Sequence, residues 1–438
     1  MRKLNITFCS YPDFSGNARA LYLYMKKKYK DKMNYTWIFY DSSSFSKIDK
    51  SDVNAILIDT NEFKKYISKT DVFFTTHCNL AGDKVKKSLY IELWHGLSPK
   101  KVGYMMNNIS SSDSEWYNFL SRNVDYFIVP SEFWALIFSA RFNVSLNQCL
   151  PIGYPKLDII RDKNAHSNLS KVLETDVSKY KKIIYYMPTF RKGCGRNGDS
   201  AFSDNYLNLK EYDENDLIDY LKKNNYLLCI KKHPSEEGSF LDKFVQSSVV
   251  KLITEERLVE CGFDIYNILD ASDVMITDYS SLGVEYLFLD KPVIYIGTDF
   301  AQYNDSRGIC YQNFDFWSSN NSVSTINDLI SAIDNCQFNN LFSTNKKLFF
   351  GDLEDGCCKK ICSYFFNDDG TKKKNVKPFI NANKKCEILD KKIRDIKNDL
   401  DYYKRLSNQK IDELNLIYNS RSWKILEKLR KILKKRRS

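Results

Sequence analysis

Four predicted strand ends in this sequence carry side chains that bind anions or move protons. Residues 273–297 read as strand, tight loop and helix. An apolar run, Val274-Met275-Ile276, passes into Thr277-Asp278-Tyr279-Ser280-Ser281, and Val284, Leu287 and Phe288 follow at helical spacing. A second β-rich run at 292–296 makes the unit βαβ, which sets the polar loop at the carboxyl end of a parallel strand, where open α/β sheets bind ligands. Ser280 and Ser281 then stand about a helix N-cap. Unpaired backbone N–H groups, the helix dipole and two hydroxyls favour phosphate oxygens there. A plain helix cap is the usual meaning of an isolated Asp-x-Ser-Ser, so the other strand ends carry the weight.

The run at 89–94 leads into His95-Gly96-Leu97-Ser98-Pro99-Lys100-Lys101, a histidine at a strand end beside a glycine that permits close backbone approach, with two lysines behind it. A lone histidine in such a place is commonly a structural hydrogen-bonder; these neighbours point instead to a base facing an anionic substrate. The run at 183–186 ends in Met187-Pro188-Thr189-Phe190-Arg191-Lys192, and that at 226–230 ends in Lys231-Lys232-His233-Pro234. One such end is usually capping. Several, divided between two α/β halves, describe a cleft lined by cations and hydroxyls and suited to a phosphate-bearing ligand.

The elements that must position these residues follow from the same pattern. Residues 4–9 read as a buried strand, the loop YPDFSGNARA follows, and Ala20, Leu21, Leu23 and Tyr24 continue as a helix. Short strands at 37–40, 55–58, 72–75 and 126–130 alternate with helical patterns, which predicts an α/β fold of two Rossmann-like domains. A polar stretch at 161–181 sets the boundary, giving a first domain over 1–165, a second over 166–366, a linker over 367–385 and a helical extension over 386–438. With 438 residues, 43% hydrophobic and 14% aromatic, the chain has ample core and needs no disulfide framework, so its twelve cysteines are expected to be reduced. Cys357, Cys358 and Cys362 cluster without a neighbouring histidine, and the strand ends bring no run of closely spaced carboxylates, so neither zinc nor another metal is expected. No signal-peptide pattern opens the chain, and no apolar run approaches the ~20 residues that span a bilayer, so a cytoplasmic protein is expected.

Five segments, WHGLSPKKVG, GYPKLD, MPTFR, KKHP and ITDYSSLGVEYLFLDKPVIY, match in order and spacing those of the CDP-glycerol glycerophosphotransferase family, the teichoic-acid primases and polymerases with related capsule polymerases, which the chain resembles over roughly 4–366. The resemblance implies a glycosyltransferase-B-like fold with a CDP-activated donor on the second domain and a lipid-linked acceptor on the first. It puts the proposed base on His95, a donor-phosphate contact on His233, the diphosphate cradle on Ser280 and Ser281, and the ribose hydroxyls on Glu285. Thr189, Arg191, Lys232 and Asp278 join the donor side; Gly16 and Asn17, which echo the family's glycine-asparagine loop, join Gly96, Lys100 and Lys101 on the acceptor side. Glycerol phosphate is the expected cargo. A nucleotide-sugar glycosyltransferase of the same fold is the alternative, and a noncatalytic binding protein is disfavoured by the two histidines with their basic flanks.

Beyond the linker, Ile393, Ile396, Leu400 and Tyr403 alternate by three and four, a short seam that serves either a homo-oligomer or docking on the chain's own domain. Residues 420–437, SRSWKILEKLRKILKKRR, carry nine basic residues against one acid and a tryptophan among aliphatics, and hold most of the net charge of +11. This amphipathic, basic pattern suits an anionic membrane surface, which would place the enzyme peripherally on the cytoplasmic face. A solvated tail is the bland alternative. Nucleic acid is not expected, because no aromatic platform accompanies the charge.

Overall fold

The computed structural model describes residues 2–85, 87–189, 206–231, 247–310 and 314–373, with 405, 409, 410 and 412 beyond them. The chain divides into the units Met1–Phe379 and Ile380–Ser438; in the second, the described residues are Arg405, Gln409, Lys410 and Asp412, all helical. Arg191, Lys232, His233, the seam from Ile393 to Tyr403 and the basic segment 420–437 lie outside the described residues.

Two parallel sheets build the first unit. The first comprises β1 (Leu4–Cys9), β2 (Met33–Phe39), β3 (Ala55–Leu57), β4 (Val72–Thr75), β5 (Leu89–Glu92), β6 (Tyr126–Val129) and β7 (Cys149–Pro151), in the order β3-β2-β1-β4-β5-β6-β7. The second comprises β8 (Lys182–Tyr186), β9 (Tyr226–Lys231), β10 (Val250–Ile253), β11 (Val274–Thr277), β12 (Val293–Ile296) and β13 (Ser322–Val323), in the order β10-β9-β8-β11-β12-β13. Every pairing is parallel. The central strands β4, β11 and β12 are buried at every position, as strands covered by helices on both faces must be, and this is why they read as unbroken apolar runs. Strand order reverses between β1 and β4 in one sheet and between β8 and β11 in the other, and the carboxyl ends at such switch points are where open α/β sheets bind ligands. This is the two-domain, glycosyltransferase-B-like α/β architecture expected from sequence.

After β1 the helix Gly16–Tyr29 buries Ala18, Leu21, Tyr22, Met25 and Tyr29, one stripe at helical spacing. The same helix receives the end of the chain. The helix Cys357–Phe365 buries Cys357, Cys358, Ile361, Cys362 and Phe365, and packs against Gly16–Tyr29 and the turn Pro155–Asp158. Its first N–H groups are caught by Asp158, which accepts from Gly356 and Cys357 at 2.8 and 2.7 Å and from Cys358 at 2.8 Å. Gly153 lets this helix approach, since a Cβ there would lie 2.4 Å from Cys357 Sγ. Residues 357–366, assigned to the second domain by sequence, therefore pack on the first. The reason is the amphipathic face of this helix, which finds its apolar partner across the fold rather than beside it in the chain. The three clustered cysteines are part of that face, and burial pushes their thiols up, away from the thiolate a metal would need.

Candidate active site

The turn that carries His95 has its backbone polar groups taken up from four directions. Trp94 leaves β5 in a left-handed conformation, φ 53°, and its N–H donates to Glu92 Oε1 at 2.9 Å. Asn17 Nδ2 donates to the carbonyls of Leu93 and Trp94 at 3.0 and 2.9 Å. Lys156 Nζ donates to the carbonyl of His95 at 2.9 Å, and Leu97 N–H donates to Glu285 Oε1 at 3.0 Å. The His95 imidazole is fixed as well. Its Nδ1 lies 3.2 Å from the carbonyl of Thr76, which can only accept, so Nδ1 carries the proton and Nε2 keeps its lone pair. His95 retains an exposed ring edge, yet its packed surround makes burial the first cause holding its pKa well below the usual imidazole value, with His77, Lys156 and Arg141 adding to it against the Thr76 carbonyl. His95 is therefore neutral at neutral pH.

His77, at the end of β4, stacks on His95 with ring centroids 4.0 Å apart and planes 9° from parallel. Burial pushes its pKa down to about 4. Beneath the pair lies Glu92, fully buried, which accepts from Thr75 Oγ1 at 2.5 Å, Cys78 N at 2.8 Å and Trp94 N. Burial raises its pKa to about 7 against the pull of those three donors.

On the second domain, Asp278 Oδ1 accepts from the backbone N–H of Thr189 at 2.7 Å, tying the ends of β8 and β11 together across the switch point. The Thr189 hydroxyl is buried and has no hydrogen-bond partner among the described residues. Ser280 caps the helix Ser281–Tyr286, its hydroxyl accepting from Leu282 N–H at 3.3 Å. The two domains meet here. A Cβ on Gly96 would come within 2.7 Å of Ser281 Oγ, so the absent side chain brings the His95 turn against the serine turn.

Glu285 sits differently from the expectation. It is fully buried and takes Lys156 Nζ at 2.8 Å and Leu97 N–H on Oε1, and Tyr266 OH at 2.6 Å on Oε2, while Lys156 also donates to Tyr266 OH at 2.7 Å. Both carboxylate oxygens are engaged, so Glu285 here links the domains rather than presenting itself to ribose hydroxyls. Asn17 is buried, with its amide engaged by the carbonyls of Leu93 and Trp94 and by the N–H of Lys156, so it braces the turn before His95. Gly16, with φ 59°, gives its N–H to Asp264 across the cleft. Lys100 and Lys101 belong to a strap that runs to the second domain. Lys101 N–H donates to Gly308 O at 2.9 Å, Cys310 N–H to Pro99 O at 2.7 Å, and Lys101 Nζ to Asn107 at 2.6 Å. Fully buried Arg141 holds this strap through the carbonyls of Ser98 and Lys100 at 2.6 and 2.9 Å.

Between the domains lies a cavity of about 620 Å³. His77, His95, Thr76, Asp13, Tyr40 and Ser15 line it from the first domain, and Lys231, Glu255, Asp264 and Tyr266 from the second. Lys231, the last residue of β9, lines this space and pairs with Glu255 at 2.9 Å. Another hollow, of about 650 Å³, lies by Asn5, Met33 and Asn34 at the amino ends of β1 and β2, away from every strand-end group named above. Sequence reasoning missed His77, Glu92, Lys156 and Tyr266. The strand-end rule that found His95 applies equally to His77, which follows Thr75-Thr76 directly; Lys156 lies in the GYPKLD segment, where no role was read for it, and nothing local marks Glu92 or Tyr266.

The family of CDP-glycerol:poly(glycerophosphate) glycerophosphotransferases matches residues 1–358. A teichoic acid poly(glycerol phosphate) polymerase of Bacillus spizizenii is 29% identical over 348 residues, covering 75% of this chain and 82% of that protein. A teichoic acid glycerol-phosphate primase of Bacillus subtilis is 29% identical over 310 residues, covering 68% of this chain and 75% of the primase. In fold, the chain is similar to the wall teichoic acid polymerase TagF, with a TM-score of 0.65 and 20% identity over 83% of this chain and 88% of that one. The chain, with its histidine turn and its serine turn joined across a two-sheet cleft, belongs to the CDP-glycerol:poly(glycerophosphate) glycerophosphotransferase family.

Proposed function

We propose that this chain transfers a polyol phosphate, glycerol phosphate in the first instance, from a CDP-activated donor to a hydroxyl of a membrane-linked acceptor during teichoic-acid or capsule-type polymer synthesis. The observation that carries the reading is the contact of the His95 turn with the Ser281 turn at Gly96, which sets a neutral, tautomer-fixed imidazole beside the anion-binding turn of the second domain. The acceptor hydroxyl attacks the distal phosphorus, the bond to the bridging oxygen breaks, and CMP departs. His95 Nε2 takes the hydroxyl proton, and its neutral state keeps that lone pair available. The hydroxyls of Ser280, Ser281 and Thr189 face the donor phosphates, with Arg191, Lys232 and His233 supplying cationic or donor groups from outside the described residues.

His95→Ala is expected to lower transfer by at least about a hundredfold, the usual scale for removing a general base. CDP binding, read by titration calorimetry, is expected to stay within about threefold of the parent. Full turnover in this variant would remove His95 from the chemistry.

No helix of the described residues is long and apolar enough to cross a membrane. Access to a membrane-linked acceptor is assigned to the basic segment 420–437, whose Lys and Arg residues each contribute on the order of 1 kcal/mol at an anionic surface. A chain ending at Tyr418 should sediment free of phosphatidylglycerol vesicles yet still extend a soluble acceptor; vesicle binding equal to that of the full chain would contradict the assignment.

A further inference from the structure

We propose that His77 is a second imidazole of the acceptor subsite, presenting an N–H donor beside the lone pair of His95, so that the two rings together grip the uncharged, hydroxyl-bearing end of a polyol. The inference rests on the reading of His95 as the acceptor-side base. Thr76 sets complementary tautomers in the pair. Its carbonyl takes the His95 Nδ1 proton, while its hydroxyl lies 2.9 Å from His77 Nδ1 and already accepts the N–H of Tyr11 at 3.3 Å. The proposal has the hydroxyl's own hydrogen donated to His77 Nδ1, the tautomer in which the ring proton of His77 stands on Nε2. That Nε2 has no hydrogen-bond partner among the described residues, and both rings line the cavity between the domains.

The pairing is built into the backbone. Cys78 and Trp94, which flank the two histidines, both adopt left-handed conformations, φ 54° and 53°, at non-glycine residues. The N–H groups of both end on the same buried carboxylate, Glu92, at 2.8 and 2.9 Å. One side chain thus clamps the ends of β4 and β5 and fixes the rings 4.0 Å apart. The remaining wall of the first domain tells what the pair meets. Asp13, Asp41, Tyr40, Ser15 and Ser44 line it, carboxylates and hydroxyls with no lysine or arginine from that domain. Such a wall repels phosphate and hydrogen-bonds hydroxyls, so the acceptor's free polyol end lies against it and its phosphates lie elsewhere.

The test uses the full chain with ring-15N histidine, whose four histidines are few enough to assign. It is titrated, without donor, with a soluble glycerol-phosphate dimer that ends in a free glycerol. The Nε2 signals of His77 and His95 are both expected to move and to saturate at one concentration; movement of His95 alone, or of neither, overturns the proposal. Kinetically, His77→Phe keeps the stacked ring and loses the donor. It is expected to lower kcat/KM for the acceptor about tenfold, as losing one hydrogen bond does, with the donor KM unchanged. His77→Gln, which retains an N–H, is expected to recover most of that loss. Parent-like acceptor kinetics in His77→Phe, or an equal rise in donor KM, overturns the proposal while leaving the transferase reading intact. A parent enzyme that releases no CMP would defeat the transferase reading, and the titration would still decide the role of His77.

Discussion

At the scale of single residues, Glu92 carries an unusual load for a side chain that touches no solvent. It holds two strand ends through three donors while burial keeps its carboxyl half protonated near neutrality. Its folded pKa of about 7 lies above the unfolded value of 4.5, so the native state binds this proton more tightly. The resulting stability is fully present below the unfolded pKa and is lost as pH rises through about 7, about 3 kcal/mol in all. Glu92→Gln should remove this slope, so denaturant midpoints of parent and variant measured between pH 4.5 and 8 should differ by an amount that changes with pH. A constant difference across the range would show that Glu92 does not titrate there. The strand-end places of His95, Ser280, Ser281, Thr189 and Asp278 were legible in the sequence because the apolar run of each preceding strand announces them. Glu92, Lys156 and Tyr266 were not. Their roles arise from contacts between residues far apart in the chain, such as the 129 positions separating Lys156 from Glu285. For the same reason the protein partners of Glu285, expected at the ribose hydroxyls, could not be read from the sequence.

At the scale of elements, the site is a meeting of two turns, and the space between them is set by one missing side chain. Gly96→Ala would put a Cβ 2.7 Å from Ser281 Oγ, 3.1 Å from Ser281 Cβ and 3.3 Å from Glu285 Oε1. The serine hydroxyl can rotate away but its Cβ cannot, so the turns must part by a few tenths of an ångström. Transfer is expected to fall at least about tenfold, while stability, read by chemical denaturation, falls by about 1–2 kcal/mol, the range for mild overpacking. Unaltered turnover would show that the contact does not set the reaction geometry. Most strands were legible because their buried faces make continuous apolar runs. The edge strands β7, β10 and β13 were not: β7 is three residues ending in Pro151, β10 carries Lys251 in its middle, and β13 is two residues long. The return of the helix Cys357–Phe365 to the first domain was equally hidden, since an amphipathic stripe declares that it needs a partner but not which one.

At the scale of the whole molecule, the two sheets of Met1–Phe379 are joined by contacts that are polar as well as apolar. Lys156, Glu285, Tyr266, Leu97 and the carbonyl of His95 form a closed hydrogen-bonded set across the domains, with Lys156 and Glu285 both fully buried. A buried ion pair is weak evidence for net stability, because desolvation opposes the attraction, but it is exacting about geometry. Here it joins the His95 turn to the helix that begins at Ser281, and on the proposed function it sets the spacing between acceptor and donor that in-line transfer requires. That the chain is a polyol-phosphate transferase, rather than a sugar transferase on the same fold, is the central claim. A donor screen tests it most directly: the purified full chain, a synthetic lipid-linked acceptor and, in parallel, CDP-glycerol, CDP-ribitol and a panel of UDP-sugars, read by nucleotide release and product mass. CMP release with a product heavier by a polyol phosphate is the predicted result, and UDP release with a product heavier by a sugar would contradict it.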